Sequence, residues 1–268
     1  MDWLIGFICA AAVAGAAYYK HSLTLSGLCA AVIMGTVYYG AGSAFWFGTL
    51  LLFFITSTLF SKWKSHRKAE LEKSYAKGGQ RDAGQVMANG GLGMLVCLAN
   101  WFWPDPLWAY LFIGIMASVT ADTWATEWGG LSPKPPRSVL TWKVLPAGTS
   151  GGVSWLGSSA AAAGAILIGI GAWLLLRLSG LSGGPIGLWI AAGGLGGLAG
   201  AFTDSILGAS LQRMYRCPEC GREVEVPMHC GKSTEHKRGL AWMSNDAVNL
   251  LSSLAGGLIA LWIGFMAA

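Results

Sequence analysis

The sequence predicts an all-α polytopic membrane protein of about eight transmembrane helices, some broken by glycine, with a small cysteine-containing insert. Three observations predict it. Hydrophobic residues make up 54% of the 268 and charged residues only 12%, against about 25% charged in ordinary globular chains. Apolar runs of about 20 residues, long enough to cross a bilayer at 1.5 Å per residue, recur along the chain. Lys and Arg collect in alternate connections, as the positive-inside rule requires. The net charge of +5 therefore belongs to membrane-flanking loops, and no nucleic-acid partner is expected.

Eight segments fit this reading, at 3–19, 24–42, 44–60, 84–102, 107–126, 152–176, 186–209 and 246–266. The first follows Asp2 instead of a basic leader, so it reads as a retained span, with no cleavable signal peptide. The second and third are joined by the short link "YGAGS", the fourth and fifth by "WPDP". Trp101, Trp103 and Trp108 beside the second link suit the interfacial belt. The seventh segment contains "AAGGLGGLAGAF", whose small residues allow helices to approach closely or to break. The chain 1–268 reads as a single membrane domain with an insert at 213–238.

Lys20 follows the first span. The connection 61–81 carries Lys62, Lys64, Arg67, Lys68, Lys73, Lys77 and Arg81. The connection 127–151 carries Lys134, Arg137 and Lys143, and 210–245 carries Arg213, Arg216, Arg222, Lys232, Lys237 and Arg238. With eight spans all of these fall on one side, and only Arg177 falls on the other. The expected arrangement is a bacterial cytoplasmic membrane, polar loops in the cytoplasm and both termini outside.

The polar residues at the span ends carry the chemistry. Asp122 and Glu127 close the fifth segment, with Thr123 and Thr126 nearby. Asp204 lies deeper in the seventh, between Thr203 and Ser205. Asp246 opens the last, flanked by Asn245 and followed by Asn249. A charge in hydrocarbon costs at least ~2.5 kcal/mol, so these groups need partners, water or a metal. A polar set that merely glues helices is one reading. The other is a Mg²⁺ site, because carboxylates with amide and hydroxyl neighbours are hard oxygen ligands suited to a metal that also binds phosphate. Asp122, Glu127, Asp204 and Asp246 are the candidate catalytic and Mg²⁺-binding residues.

Two glycine-rich stretches precede spans on the same side. "KGGQRDAGQVMANGG" offers Arg81, Gln85 and Asn89, and Arg81 can grip a phosphate with two parallel hydrogen bonds. "KVLPAGTSGGVSWLGS" offers Lys143, Thr149, Ser150 and Ser154 at a helix start, where free N–H groups can cradle an anion. It lacks the Gly-Lys-Ser/Thr ending of a Walker A loop. In the insert, Cys217 and Cys220 form a CxxC pair and Cys230 follows. With His236 as fourth ligand they would suit a closed, structural Zn²⁺ site. His229, adjacent to Cys230, is the less favoured ligand on grounds of geometry, and a redox CxxC is the competing reading.

The motifs "RDAGQVMANGG", "ADTWATEWG", "GTSGGVSWLG", "DSILGASLQ", "HCG" and "NDAVNLLSS" occur in this order and resemble the DUF92 family of integral membrane proteins. That family includes the transmembrane protein 19 and phytyl-phosphate kinase groups. The resemblance covers roughly 20–266. It departs at Ser244, where a second Asn would be expected before the aspartate. It implies a shared polar set of Arg81, Gln85, Asn89, Asp122, Glu127, Asp204, Gln212, Asn245, Asp246 and Asn249. It also implies a prenyl monophosphate lipid as acceptor, a nucleoside triphosphate (ATP or CTP) as donor, and a prenyl diphosphate as product. A transporter of a small or lipid-linked anion and a CTP-dependent lipid nucleotidyltransferase are the alternatives.

Overall fold

The computed structural model describes residues 1–267 except 64, 67–70 and 72–74. Lys64, Arg67, Lys68 and Lys73 of the basic connection lie outside the described residues. The long helices are α1 (Asp2–Tyr19), α2 (Leu25–Val37), α3 (Ala44–Lys62), α4 (Ala83–Phe102), α5 (Leu107–Gly129), α6 (Trp155–Leu178), α7 (Ile186–Ser210) and α8 (Asn245–Ala267). They match the eight expected segments to within a few residues. Among the described residues, seven are long and apolar enough to cross a membrane. The remaining one, α4, has 20 residues but carries Gln85, Asn89 and Asn100.

Irregularity falls in a different place from the one the glycines suggest. Despite its run of glycines, α7 is one unbroken helix of 25 residues. The departure from α geometry is instead at Tyr38–Gly42, where α2 continues as a π-helical turn before Ser43 caps α3. In α7 the glycines permit close approach. Gly196 packs so near α8 that a Cβ there would meet the Gly256 carbonyl at 2.8 Å, and a Cβ at Gly114 of α5 would lie 2.8 Å from Gly257. Ser118 of α5 fills the remaining space, its Oγ donating to the carbonyls of Gly114 (2.8 Å) and Gly196 (3.3 Å).

This seam makes α5 the central element. It packs against α6, α7 and α8, and also against α3 and α4. Leu111 through Ala121 are all buried, a helix covered on every side. Side chains on the outside of the bundle are apolar and exposed, among them Phe7, Ile33, Leu59, Leu95, Leu195 and Leu258, the composition expected of a lipid-facing surface.

Both ends of the chain lie at one end of the bundle. Trp3 stacks edge-on against Trp101 at the end of α4, and Gly264 of α8 packs on Tyr110 near the start of α5. The connections rich in Lys and Arg are therefore together at the opposite end. There the chain forms small antiparallel units: β1 (Arg137–Ser138) with β2 (Gly152–Val153), β3 (Met214–Arg216) between β4 (Glu223–Val224) and β7 (Glu235–Arg238), and a hairpin of β5 (Met228–His229) with β6 (Lys232–Ser233).

The seam yields a test. A Cβ added at Gly256 would overlap Ser118 Oγ and the Gly196 carbonyl, whereas one at Gly187 meets nothing within 4 Å. Gly256→Ala should destabilise the detergent-solubilised protein by about 1–3 kcal/mol, the usual cost of overpacking, and Gly187→Ala should not. Thermal unfolding of the two variants side by side reads the difference.

Candidate functional site

The seam sets the depth of the polar groups. One helical turn beyond Ser118, α5 presents Asp122; one turn beyond Gly200, α7 presents Asp204. One turn before Gly256, α8 presents Ser252, whose Oγ donates to Asp204 Oδ2 at 3.1 Å. The two aspartates are thus carried to the same level by helices already locked together. They face an open cleft with about 290 Å³ of space, at the end of the bundle that carries the basic loops. The buried seam lies about one helical turn from the two aspartates.

Most of the expected residues line this cleft: Arg81, Gln85, Asn89, Asp122, Glu127, Thr149, Ser150, Ser154, Asp204, Asn245 and Asn249. Three helix N-termini, those of α4, α6 and α8, contribute Gln85 and Asn89, Ser154, and Asn245 and Asn249 respectively. Helix starts attract anions through their unpaired N–H groups. Several of these side chains also build the wall. Asp82 and Gln85 form a reciprocal capping box on α4, and Ser154 Oγ caps α6 by accepting from Gly157 N at 3.1 Å. Asn249 Nδ2 donates to Asn89 Oδ1 at 3.4 Å, joining α8 to α4.

Arg81 is held from both sides. Its backbone N–H donates to Ser22 and its carbonyl accepts from Thr24, each at 3.0 Å, pinning it to the α1–α2 connection. Its guanidinium lies over the rings of Phe53 and Phe54, at 5.6 and 5.5 Å, and Nη1 donates to Thr58 at 3.3 Å. Burial pulls its pKa down to about 10, with Glu127 acting in the opposite sense, so it stays cationic at neutral pH.

The other placements differ from expectation. Asp246 is not among the cleft-lining residues; its Oδ2 lies 3.4 Å from Lys77 Nζ, which also pairs with Asp82 at 2.6 Å. Burial disfavours the Lys77 ammonium, but the two carboxylates outweigh it and hold its pKa above the ordinary value. Lys77, which sequence reasoning did not select, does line the cleft. Lys143 stays out of it. Trp142 adopts a left-handed φ of 57°, the loop closes through Ser138 N–H on the Lys143 carbonyl at 2.8 Å, and the lysine side chain is exposed. Gln212 sits behind the wall, 2% exposed, and acts through hydrogen bonds: its Oε1 faces Ser150 Oγ at 2.6 Å and its Nε2 donates to Glu225 Oε1 at 2.9 Å.

Glu225 is the residue that sequence reasoning missed. It comes from the insert and lines the cleft. Its Oε2 accepts from Ala76 N–H at 3.0 Å, and burial raises its pKa against the pull of Ala76, Gln212 and Arg238. Asp122, Asp204 and Glu225 lie near enough to feel one another's charge. Among the described residues no Lys or Arg reaches ion-pair distance of Asp122 or Asp204.

The insert also corrects the metal ligand set. Cys217, Cys220, His229 and Cys230 place their ligand atoms within 4.8 Å of one another. His229 Nδ1 is 3.2 Å from Cys230 Sγ and 3.5 Å from Cys220 Sγ. Two adjacent residues converge because Cys230 takes a left-handed φ of 52° and Gly231 one of 73°, which folds the chain back at the tip of the β5–β6 hairpin. His236 is instead on β7, its ring edge-on to Tyr215. Three thiols and one imidazole form a closed set of soft and borderline donors suited to a structural metal such as Zn²⁺.

Taken together, these features define an integral membrane helix bundle with a polar cleft, walled by carboxylates and helix N-termini. The chain belongs to the DUF92 family of integral membrane proteins, whose family model matches residues 8–257. It is similar to Protein PGR of Arabidopsis thaliana, 31% identical over 94% of this chain and 92% of the relative. It is likewise similar to uncharacterized membrane proteins of Methanocaldococcus jannaschii (31% identical, 80% of this chain and 74% of the relative) and of Synechocystis (25%, 81% and 74%). No solved structure matches the chain.

The two histidines separate the two ligand sets. His229→Ala should abolish retention of one equivalent of metal by the purified protein, while His236→Ala should keep it. Elemental analysis after gel filtration measures both; equal retention would reject the His229 set.

Proposed function

We propose that the protein transfers a phosphoryl group from a nucleoside triphosphate to a prenyl monophosphate, giving the prenyl diphosphate. One observation carries the reading. A second, apolar cavity runs between α1, α2, α3 and α4, and it shares Arg81, Gln85 and Asn89 with the polar cleft. Its walls are apolar, including Val13, Ala14, Ala31, Leu51 and Phe54, and it encloses about 60 Å³, room for the start of a tail. A ligand spanning both has an apolar tail and an anionic head, with the head at Arg81. That is the shape of a lipid phosphate, and the phytyl-phosphate kinase group within this family is consistent with a prenyl one.

The residues then divide the work. Arg81 and Lys77 offset phosphate charge, and Thr149, Ser150 and the start of α6 offer donors to the incoming nucleotide. Asp122 and Asp204, with Glu127 near Arg81, suit Mg²⁺: two carboxylates at one level, without a cation partner among the described residues, are the donor set this hard ion prefers. When bound, Mg²⁺ would neutralise charge on the transferring phosphoryl group. The acceptor phosphate is already ionised at neutral pH, so its oxygen attacks without a strong general base. The protein's task is alignment of acceptor and donor. The positive-inside rule supports a cleft that faces the cytoplasm, where nucleotides are, with both termini on the other side.

Purified protein with Mg²⁺, labelled ATP or CTP and a panel of prenyl monophosphates tests the reading. Prenyl diphosphate with nucleoside diphosphate is the expected product pair. A CDP-lipid with released diphosphate would instead make the protein a nucleotidyltransferase, and lipid movement across vesicles without turnover a carrier. Asp122→Asn and Asp204→Asn should each lower kcat by about 10²-fold or more, the usual cost of losing one transition-state contact. Ala31→Phe should raise KM for the prenyl phosphate and leave KM for the nucleotide unchanged.

A further inference from the structure

We propose that the insert is a working wall of the cleft: Glu225 anchors two loops of the site, and a metal clasped by Cys217, Cys220, His229 and Cys230 anchors Glu225. The inference rests on the geometry of the cleft, not on which reaction takes place there.

Glu225 joins three pieces of the site through hydrogen bonds. Through Oε2 it takes the Ala76 N–H, fixing the segment that carries Lys77, Gly78 and Gly79. Through Oε1 it takes Gln212 Nε2, and Gln212 in turn pairs with Ser150 in the glycine-rich loop. The end of that loop is held by the β1–β2 pairing, with Val139 N–H donating to the Gly151 carbonyl at 3.0 Å, and the Gln212 contact adds a side-chain tie at Ser150. Gly148 and Gly151 have positive φ values of 82° and 83°, and Ser150 can reach Gln212 only because Gly208 has no side chain in its path. The two loops that carry candidate phosphate donors are thus tied to one carboxylate.

Glu225 itself sits on a short bridge between β4 and β5. At one end Val224, 1% exposed, pairs with Tyr215 of β3. At the other, two residues past Pro227, come His229 and Cys230. Strands of two residues and an exposed hairpin are weak restraints. A metal joining His229 and Cys230 to Cys217 and Cys220 would close the bridge at both ends, since Cys217 directly follows β3. On the far side Arg238 Nη1 donates to the Gly208 carbonyl at 2.9 Å, docking the same sheet on α7. Val224 is buried between two glutamates: Glu223 pairs with Lys237 and Arg238, and Glu225, just past the end of β4, lines the cleft. Glu225 is a positioning residue, and the metal's role is to keep it in position.

Hydrogen exchange reads this directly. In the wild-type protein, chelation should speed exchange at Ala76 and across 148–152 by about tenfold or more while α5 stays protected, and Zn²⁺ should restore protection. Glu225→Ala should give the same loosening with metal retained. Glu225→Gln, which keeps an acceptor for Ala76, should recover protection there. Cys230→Ser should match the chelated protein, and His236→Ala the wild type. Wild-type protection at Ala76 and 148–152 in Glu225→Ala would overturn Glu225's role. Unchanged protection after complete metal loss would overturn the metal's. Because exchange and metal content need no turnover, either failure is separate from failure of the proposed reaction.

Discussion

The close approach of α5, α7 and α8 at Gly114, Gly196, Gly200 and Gly256 is the constraint on which the rest of the structure depends. In lipid there is no hydrophobic drive to bring apolar helices together, so contact of backbones and a few hydrogen bonds must do it. Ser118 satisfies itself on α5 and reaches a carbonyl of α7 within the seam. Because the seam fixes the axial register of three helices, it also fixes which residues meet one turn further on. Asp122, Asp204 and Ser252 share a level for that reason. A shift of one residue in any helix would turn its polar group by about 100° and break the set.

Carboxylates near the hydrocarbon boundary are costly, and the fold offsets the cost without neutralising them. Among the described residues, the hydrogen bond from Ser252 to Asp204 leaves most of that carboxylate's acceptor capacity free. The positive ends of α4, α6 and α8 supply long-range compensation, and Arg81 supplies a full charge. Arg81 is itself desolvated between Phe53 and Phe54, and so acts at short range instead of being spent on solvent. Acceptors for a cation and donors for an anion therefore stand side by side in one pocket. In the proposed reaction both are needed at once.

Hydropathy made the helices legible. Each of the eight expected segments became a helix, because a backbone in lipid must satisfy its own hydrogen bonds and burial leaves no alternative. The polar residues at span ends were legible for the complementary reason: Asp122, Asp204 and Asn249 are too expensive there to be accidental. What depends on backbone turns was not legible. Lys143 has the right charge and the right neighbours, but a left-handed Trp142 turns it away. His229 was set aside because adjacent ligands rarely converge, and a positive φ at Cys230 is what lets them. Glu225 gave no signal at all. In "REVEVP" it is one of two alternating glutamates, and only the docking of the sheet on α7 decides which one faces the cleft.

The apolar cavity adds a constraint on what the cleft can accept. Arg81, Gln85 and Asn89 border both spaces, so an anion at Arg81 lies where a tail can pass directly between α1–α2 and α3–α4. A fully soluble anion would leave that cavity empty. Under the proposed function the first part of a lipid tail would enter it and keep Arg81 dry, which would strengthen the contact with the head group. Beyond the cleft, Leu111–Ala121 of α5 are buried on every side. Under the proposed function, an amphipathic substrate would arrive from the membrane, meet a nucleotide at the polar face and return to the membrane.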